Sequence, residues 1–257
     1  MSQSGTECPA PGAPDFRYEK HDSVGSTSSV CMTRAHSGDA GRLWIRADHQ
    51  SEGRGRRGRD WSSPVGNMFA SLLLIDPLPV DRIGELPLTA AVALARAVDK
   101  AAGTLQLVRL KWPNDLLVEN AKLSGILLEA ETLPDGRQAV VIGIGVNCVS
   151  HPDLTLYQAT DLRSLGFQVT SEQMFECLTA SMAELLAKGR QPGGFEFIRR
   201  AWLDRAAHLG KQITVKTARD EITGIFADLD AGGHLVLKLD DGRLRTLYAG
   251  DVFLPGS

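Results

Sequence analysis

Apolar positions follow two rhythms along this chain. Up to about residue 209, long helical stretches alternate with short apolar runs; beyond it only short runs remain. Thr27 and Ser28 look like a helix start, with Gly38 able to end it. "RLWIRA" and "MFASLLLI" are runs of strand length, separated by a polar loop. Pro87 opens an Ala-rich helix closed by Gly103, and its apolar face runs nearly all round, which places it under a main sheet. "LVRLKW", "DLLVEN" and "KLSGILLEA" predict strands, the last two joined in a hairpin. "AVVIGIGVN" has the uninterrupted β-branched pattern of a buried strand. Thr170 and Gln173 make a capping box before the helix "SEQMFECLTASMAELLAK". "FEFIRRAWLDRAAHL" predicts a further helix, stopped by Gly210.

After Lys211, "QITVKT", "EITGIFADLD", "HLVLKLD" and "RLRTLYAGDVFL" are short strands split by Gly and Asp turns, a pattern of SH3-like barrel size. The expected fold class is α/β (α+β): a mixed central sheet flanked by helices over residues 16–209, then a small barrel over 210–257. Residues 1–15 are rich in Pro, Gly, Ala and Ser and are expected to be a disordered tail.

Composition narrows the function classes. The chain has 257 residues, 43% hydrophobic and 23% charged, with net charge −3, so any affinity for nucleic acid must be local. No apolar run approaches the ~18 residues of a membrane span, and no signal-peptide core follows the start. Cys8, Cys31, Cys148 and Cys177 show no metal-ligand spacing, which reads as reduced thiols of a cytoplasmic protein.

The polar loop is the first chemical signal. "EGRGRRGRDW", residues 52–61, holds four arginines and three glycines. Gly53, Gly55 and Gly58 satisfy GxGxxG, but Pro64 and Gly66 follow where a dinucleotide fold needs a helix. A solvated basic loop touching RNA is one alternative. The other is a loop whose backbone and guanidinium groups enclose a small anion, since glycine permits close approach and arginine offers forked donors. A second stretch, "KWPNDLLVENAKLSGILLE" at residues 111–129, sets Lys, Trp, Asn, Asp and a further Lys around the hairpin. Either stretch alone also reads as surface polarity and a core Trp.

Together and in this order, followed by "GIGVN", these motifs resemble the biotin protein ligases. The match is specific over residues 23–147, and the remainder follows the family's order of elements. The resemblance implies a class II synthetase-like catalytic domain at 16–209 that binds biotin and ATP. It implies activation of biotin with MgATP to biotinyl-5′-AMP and pyrophosphate, then transfer to a lysine of a biotin carboxyl carrier domain, with Mg2+ required. Arg54, Arg56 and Lys122 match the catalytic cations. Ser26, Thr27, Gln50, Gly53, Gly55 and Gly125, with those cations, match the biotin-binding positions. Arg56, Arg57, Arg59, Trp61, Asn114 and Asn147 match the ATP and adenylate side, with Trp61 stacking on adenine; Asp115 is a candidate magnesium ligand. Without the family match, Ser26, Thr27 and Gln50 read as a helix cap and a surface side chain.

There is one departure: the family usually reads Ser-Thr-Asn where this chain has Ser26, Thr27 and Ser28. Some members carry an N-terminal DNA-binding domain; the few, Pro-rich residues before Ser26 predict none here, so a ligase of the monofunctional type that binds no DNA is expected. The expected partner is a carrier protein or domain of a biotin-dependent carboxylase, with no membrane, and the resemblance also allows a homodimer. Two alternatives stay open: a lipoyl or octanoyl ligase or transferase of the same fold, and a non-enzymatic RNA- or nucleotide-binding protein.

Overall fold

The computed structural model describes residues 7–153, 158–217 and 220–254. Its centre is an eight-stranded mixed sheet in the order β1-β2-β3-β4-β8-β7-β6-β5. The strands are β1 (Cys8–Ala10), β2 (Ala13–Val24), β3 (Leu43–Gln50), β4 (Met68–Ile75), β5 (Arg109–Lys111), β6 (Asp115–Val118), β7 (Ala121–Thr132) and β8 (Gln138–Val146). Only β2 and β3 pair in parallel; every other neighbouring pair is antiparallel.

Both faces of this sheet are covered, which explains why β4 and β8 read as continuous apolar runs rather than alternating ones. On one face Leu43, Ile45, Leu73 and Val141 pack with Cys31 and Ala35 of α1 (Thr27–His36). On the other, Trp44, Met68, Leu72 and Ile142 join α2 (Leu86–Ala102) and α3 (Ser171–Gly189). Helix α2 is buried on most of its circumference because it lies against both the sheet and α3. It ends at Gly103, which takes the left-handed conformation. The capping box at Thr170 and Gln173 forms with both reciprocal bonds.

A second, five-stranded antiparallel sheet has the order β12-β11-β10-β9-β13. Its strands are β9 (Gln212–Lys216), β10 (Glu221–Leu229), β11 (Leu235–Lys238), β12 (Leu244–Leu247) and β13 (Asp251–Phe253). "RLRTLYAGDVFL" is therefore two strands: β12 pairs with β11 at one edge, and β13 crosses to pair with β9 at the other. Ile213, Val215 and Phe226 of this sheet share one core with the main domain.

Two further expectations are corrected. The predicted tail is ordered from residue 7: β1 and β2 form a hairpin that inserts Ala10, Ala13 and Phe16 into the core. Gly12 turns it at φ +73, where a Cβ would meet the Glu176 carbonyl of α3 at 2.9 Å. Its Pro/Gly composition reads as disorder only because the surfaces that order it lie far along the chain; residues 1–6 lie outside the described residues. The last helix, α4, spans Gly194–Leu203 and stops short of Gly210. Residues 205–207 leave it to pair with β5, through Leu110 N–H to Arg205 O and Ala207 N–H to Leu110 O. Among the described residues no helix is long and apolar enough to cross a membrane.

Arg46 is buried in this fold and donates to Glu172 Oε1 at 2.6 Å and to Ser171 Oγ at 2.8 Å, tying β3 to the start of α3. That hydrogen bond from Arg46 is the main cause holding the Glu172 carboxyl at about 2, below its ordinary 4.5. A depressed carboxylate stabilises the fold fully above its unfolded value and loses that contribution as pH falls through the folded one. Glu172 is well exposed, so screening holds the effect to about 1 kcal/mol or less. We predict that urea unfolding will show wild-type stability falling from pH 4.5 towards 2 more steeply than that of Glu172→Gln.

Candidate active site

The hairpin of β6 and β7 turns at Glu119 and Asn120, both with positive φ (49° and 72°), the backbone that a tight two-residue connection requires. The turn folds Lys122 back beside Asp115, seven residues earlier in the chain, and Lys122 Nζ reaches Asp115 Oδ1 at 2.7 Å. Next to them the register aligns Asp115, Gly125 and Gly145 across β6, β7 and β8. Three glycines on these strands, Gly125, Gly143 and Gly145, form part of the lining of a cleft of about 530 Å³. The arginine loop and the edge of the second sheet complete it.

The loop is closed by backbone pairing, with Arg54 bridging Asp60 and Gly55 N–H donating to Arg59 O at 2.7 Å. Between them a single 3-10 turn, Arg56–Gly58, places Arg57 in the left-handed region at φ 57. Gly53 is required where the loop departs, because a Cβ there would lie 2.4 Å from the Trp61 carbonyl. A strand, β4, and not a helix follows the loop, and the loop's arginine side chains supply positive charge.

Three of those side chains converge on one carboxylate of the second sheet. Arg56 Nη1 lies 3.2 Å from Asp251 Oδ1, Arg57 Nη1 2.8 Å from Oδ2, and Arg59 Nη2 3.6 Å from Oδ1. Arg56 also donates to Asn114 Oδ1 and to the Gly250 carbonyl. Burial pushes the Arg56 guanidinium down, against the pull of Asp251 and Asp115. Burial likewise pushes Lys111 down; its ammonium faces the ring of Phe253, as does that of Lys216. One carboxylate cannot neutralise three guanidiniums. Six cationic side chains and three carboxylates line the cleft, an excess of three positive charges in a chain of net charge −3.

The opposite end of the cleft is neutral and polar. Ser26, Thr27 and Ser28 stand buried at the start of α1, and Gln50, at the end of β3, accepts from the Thr27 amide at 2.8 Å and its hydroxyl at 3.0 Å. Arg54, Gly55, Arg56, Arg59, Trp61, Asn114, Asp115, Lys122 and Gly125 line the same cleft. Gly53 and Asn147 line an adjoining cavity of about 650 Å³ that shares Gln50, Arg54, Trp61 and Lys122 with it. Arg57 lines neither and is engaged by Asp251 and the Lys216 carbonyl. Trp61 lies across the glycine floor, its indole 2.5 Å from where a Cβ on Gly145 would sit and 3.0 Å from one on Gly125. Asn114 and Asn147 each also tie backbone together, to the Ile126 and Thr160 carbonyls. Asp115 stands beside Lys122, and among the described residues no three His, Cys, Asp or Glu side chains group as metal ligands.

Residues 26–147 match the Biotin/lipoate A/B protein ligase family, and residues 208–254 match the biotin protein ligase C terminal domain. A biotin–[acetyl-CoA-carboxylase] ligase of Paracoccus denitrificans is 38% identical, covering 90% of this chain and 98% of that protein. The chain belongs to the biotin protein ligase family. The bifunctional ligase/repressor BirA of Bacillus subtilis is 29% identical, over 91% of this chain and 73% of its own length. In fold, the chain is similar to the biotin protein ligase from Aquifex aeolicus in complex with biotin and ATP, with a TM-score of 0.78 at 24% identity, covering 92% and 97% of the two chains.

Within this biotin protein ligase fold, the residues that sequence reasoning missed come mostly from the second sheet and its approach: Asp251, Lys216, Phe253 and His208. Nothing local marks them, since each is an ordinary strand or loop residue until the two sheets meet. Lys111 was visible inside "KWPND", yet its place beside Phe253 depends on that same meeting. Removing the shared carboxylate should leave three guanidiniums repelling one another. We predict that in Asp251→Ala the amides of residues 56–59 exchange with solvent at least about tenfold faster than in the wild type, an opening of ~1.4 kcal/mol. Hydrogen exchange read by mass spectrometry measures it.

Proposed function

We propose that this biotin protein ligase binds biotin with its ureido end among Ser26, Thr27 and Gln50 and its carboxylate beside Lys122. It joins that carboxylate to the α-phosphate of MgATP. The observation that carries the reading is the charge gradient of the cleft: a neutral, hydrogen-bonding end, a glycine-floored middle, and an end with three excess positive charges. An apolar body with a polar head and an anionic tail fits such a gradient.

The first step must bring two anions together. At ~4 Å their repulsion is ~4 kcal/mol per pair of unit charges at an effective dielectric near 20. Arg54, Arg56 and Lys122 offset it, and do so more strongly where more negative charge collects, on the pentavalent phosphorus. A carboxylate oxygen of biotin forms the new P–O bond as the bond to the β-phosphate oxygen breaks, and pyrophosphate leaves. In the second step a neutral lysine amine of the carrier attacks the acyl carbon, the bond to AMP breaks, and the amine loses its proton. No enzyme nucleophile is needed, so positioning and electrostatics supply the rate. Asp115, which lines the cleft beside Lys122, would help to hold the magnesium that accompanies ATP. A single protein carboxylate suits an ion held mainly by phosphate and water, and there the ion supplies further neutralisation of the phosphates. Trp61 and Asn114, with Asn147 from the adjoining cavity, take the adenine side, and Arg57 and Arg59 act there through the loop.

The acceptor is a biotin carboxyl carrier protein or domain. Its lysine enters once pyrophosphate has left, while the loop covers the mixed anhydride and excludes water. A second copy of the chain pairing at an edge of the central sheet is compatible with this reading.

Biotin-dependent ATP–pyrophosphate exchange tests the function, with lipoate and octanoate as parallel acids. We expect exchange with biotin alone and a loss of at least about a hundredfold in Lys122→Ala, ~2.7 kcal/mol of transition-state stabilisation. Exchange with lipoate instead would assign the lipoyl branch of the same fold, and no exchange with any acid would sink the enzyme reading. We also predict that biotin with ATP slows hydrogen exchange at residues 53–59 relative to the free protein; equal rates in both states would rule out closure of the loop.

A further inference from the structure

The departure at Ser28 has a structural counterpart that runs through a residue outside the cleft. Thr27 N–H, which can only donate, points at one terminal atom of Gln50 at 2.8 Å, so that atom is the amide oxygen. Thr27 Oγ1 lies 3.0 Å from the same oxygen and must spend its only proton there. Ser71 Oγ, fully buried on β4, lies 2.7 Å from Thr27 Oγ1. With the threonine proton committed, Ser71 is the donor in that contact. Ser28 Oγ lies 3.0 Å from Ser71 Oγ, and with the Ser71 proton committed, Ser28 must donate to Ser71. On the other side Gln50 Nε2 donates to Ser63 Oγ at 3.1 Å, and Ser63 donates to the Trp61 carbonyl at 3.1 Å.

Every proton in this chain thus points one way, from Ser28 through Ser71 and Thr27 to Gln50, and the Ser71 and Thr27 hydroxyls each both give and receive. Such runs polarise and strengthen their members. Gly143 leaves the space for it: a Cβ there would sit 2.7 Å from Ser28 Oγ. Thr27 Oγ1 has given its proton and accepted one, so it retains a single lone pair and no proton. It can take only a donor from a ligand.

We propose that Ser71, with Ser28, is a positioning pair: Gln50 holds the Thr27 proton, and the Ser71 donor fixes which lone pair of the Thr27 hydroxyl is left for a ureido N–H of biotin. This inference rests on the biotin reading above. Ser28 acts from the first turn of α1 and Ser71 from β4, and Ser71 does so without lining the cleft itself. The same lock discriminates against acids such as octanoate, which bring no N–H and would leave the lone pair unmet.

The test uses the full-length protein and steady-state ATP–pyrophosphate exchange, with octanoate as a competitive inhibitor. In Ser71→Ala the biotin KM should rise about tenfold to thirtyfold, as expected for one misdirected buried hydrogen bond, while kcat and the KM for ATP stay within about twofold. The octanoate inhibition constant should not rise, because octanoate makes no use of the oriented lone pair. Ser28→Ala should raise the biotin KM about threefold, and the double variant should match Ser71→Ala alone, because Ser28 acts only through Ser71. Ser71→Cys, a weaker donor of similar shape, should fall between wild type and Ser71→Ala; it carries the same comparison if the alanine variant is unstable.

An unchanged biotin KM in Ser71→Ala or Ser71→Cys would overturn the proposal. So would effects of the two serines that multiply, or an octanoate constant that rises in step with the biotin KM, which would mean a collapsed pocket. Absence of biotin-dependent exchange in the wild type would instead remove the biotin reading, and the relay's ligand with it.

Discussion

Arg56 stands where three distant parts of the chain meet, and its charge constrains all of them. A guanidinium lowered into a cleft loses water and has to recover acceptors from the protein. Arg56 recovers them from the Asn114 side chain beside the hairpin, from the Gly250 carbonyl and from Asp251 of the second sheet. The loop that carries it is glycine-rich and has little rigidity of its own. Its shape is held from outside, by the same contacts that keep its charge solvated. The second sheet is therefore part of the site's electrostatics rather than an appendage, and its shared core with the main domain keeps Asp251 in register with the arginines.

The main sheet supplies the opposite quality. Strands β4 and β8 are buried on both faces, between α1 on one side and α2 with α3 on the other, and they do not move without opening the core. On that rigid base rest the elements that need precision: the glycine floor, the paired Lys122 and Asp115, and the hydroxyls at the start of α1. The cleft thus joins a stiff recognition end to a loop that is held by charge. A ligase that must first grip a neutral bicycle and then enclose a reactive mixed anhydride has use for both.

The motifs of residues 52–61 and 111–129 were legible as chemistry only together and in order, through their resemblance to a known family, since either alone also reads as surface polarity. The helices were legible where their caps were local, as at Gly103 and at Thr170 with Gln173. The N-terminal hairpin was not, because Pro, Gly and Ala carry no strand signal and their order comes from β3 and α3. Nor was the early end of α4, where the pattern stays helical but β5 offers the backbone a different partner.

What the sequence by itself determined was the alternation of elements, the identity of the arginine loop and hairpin, and through them the family. These rest on local propensity and on side-chain types that no packing can alter. Only the tertiary structure decided which cations share Asp251, that Lys111 and Lys216 both face Phe253, and that Ser71 stands behind Thr27. Those are pairings between segments far apart in the chain, set by sheet register and by how two cores merge. The direction of a hydroxyl proton is likewise a property of the whole chain of neighbours that it must satisfy.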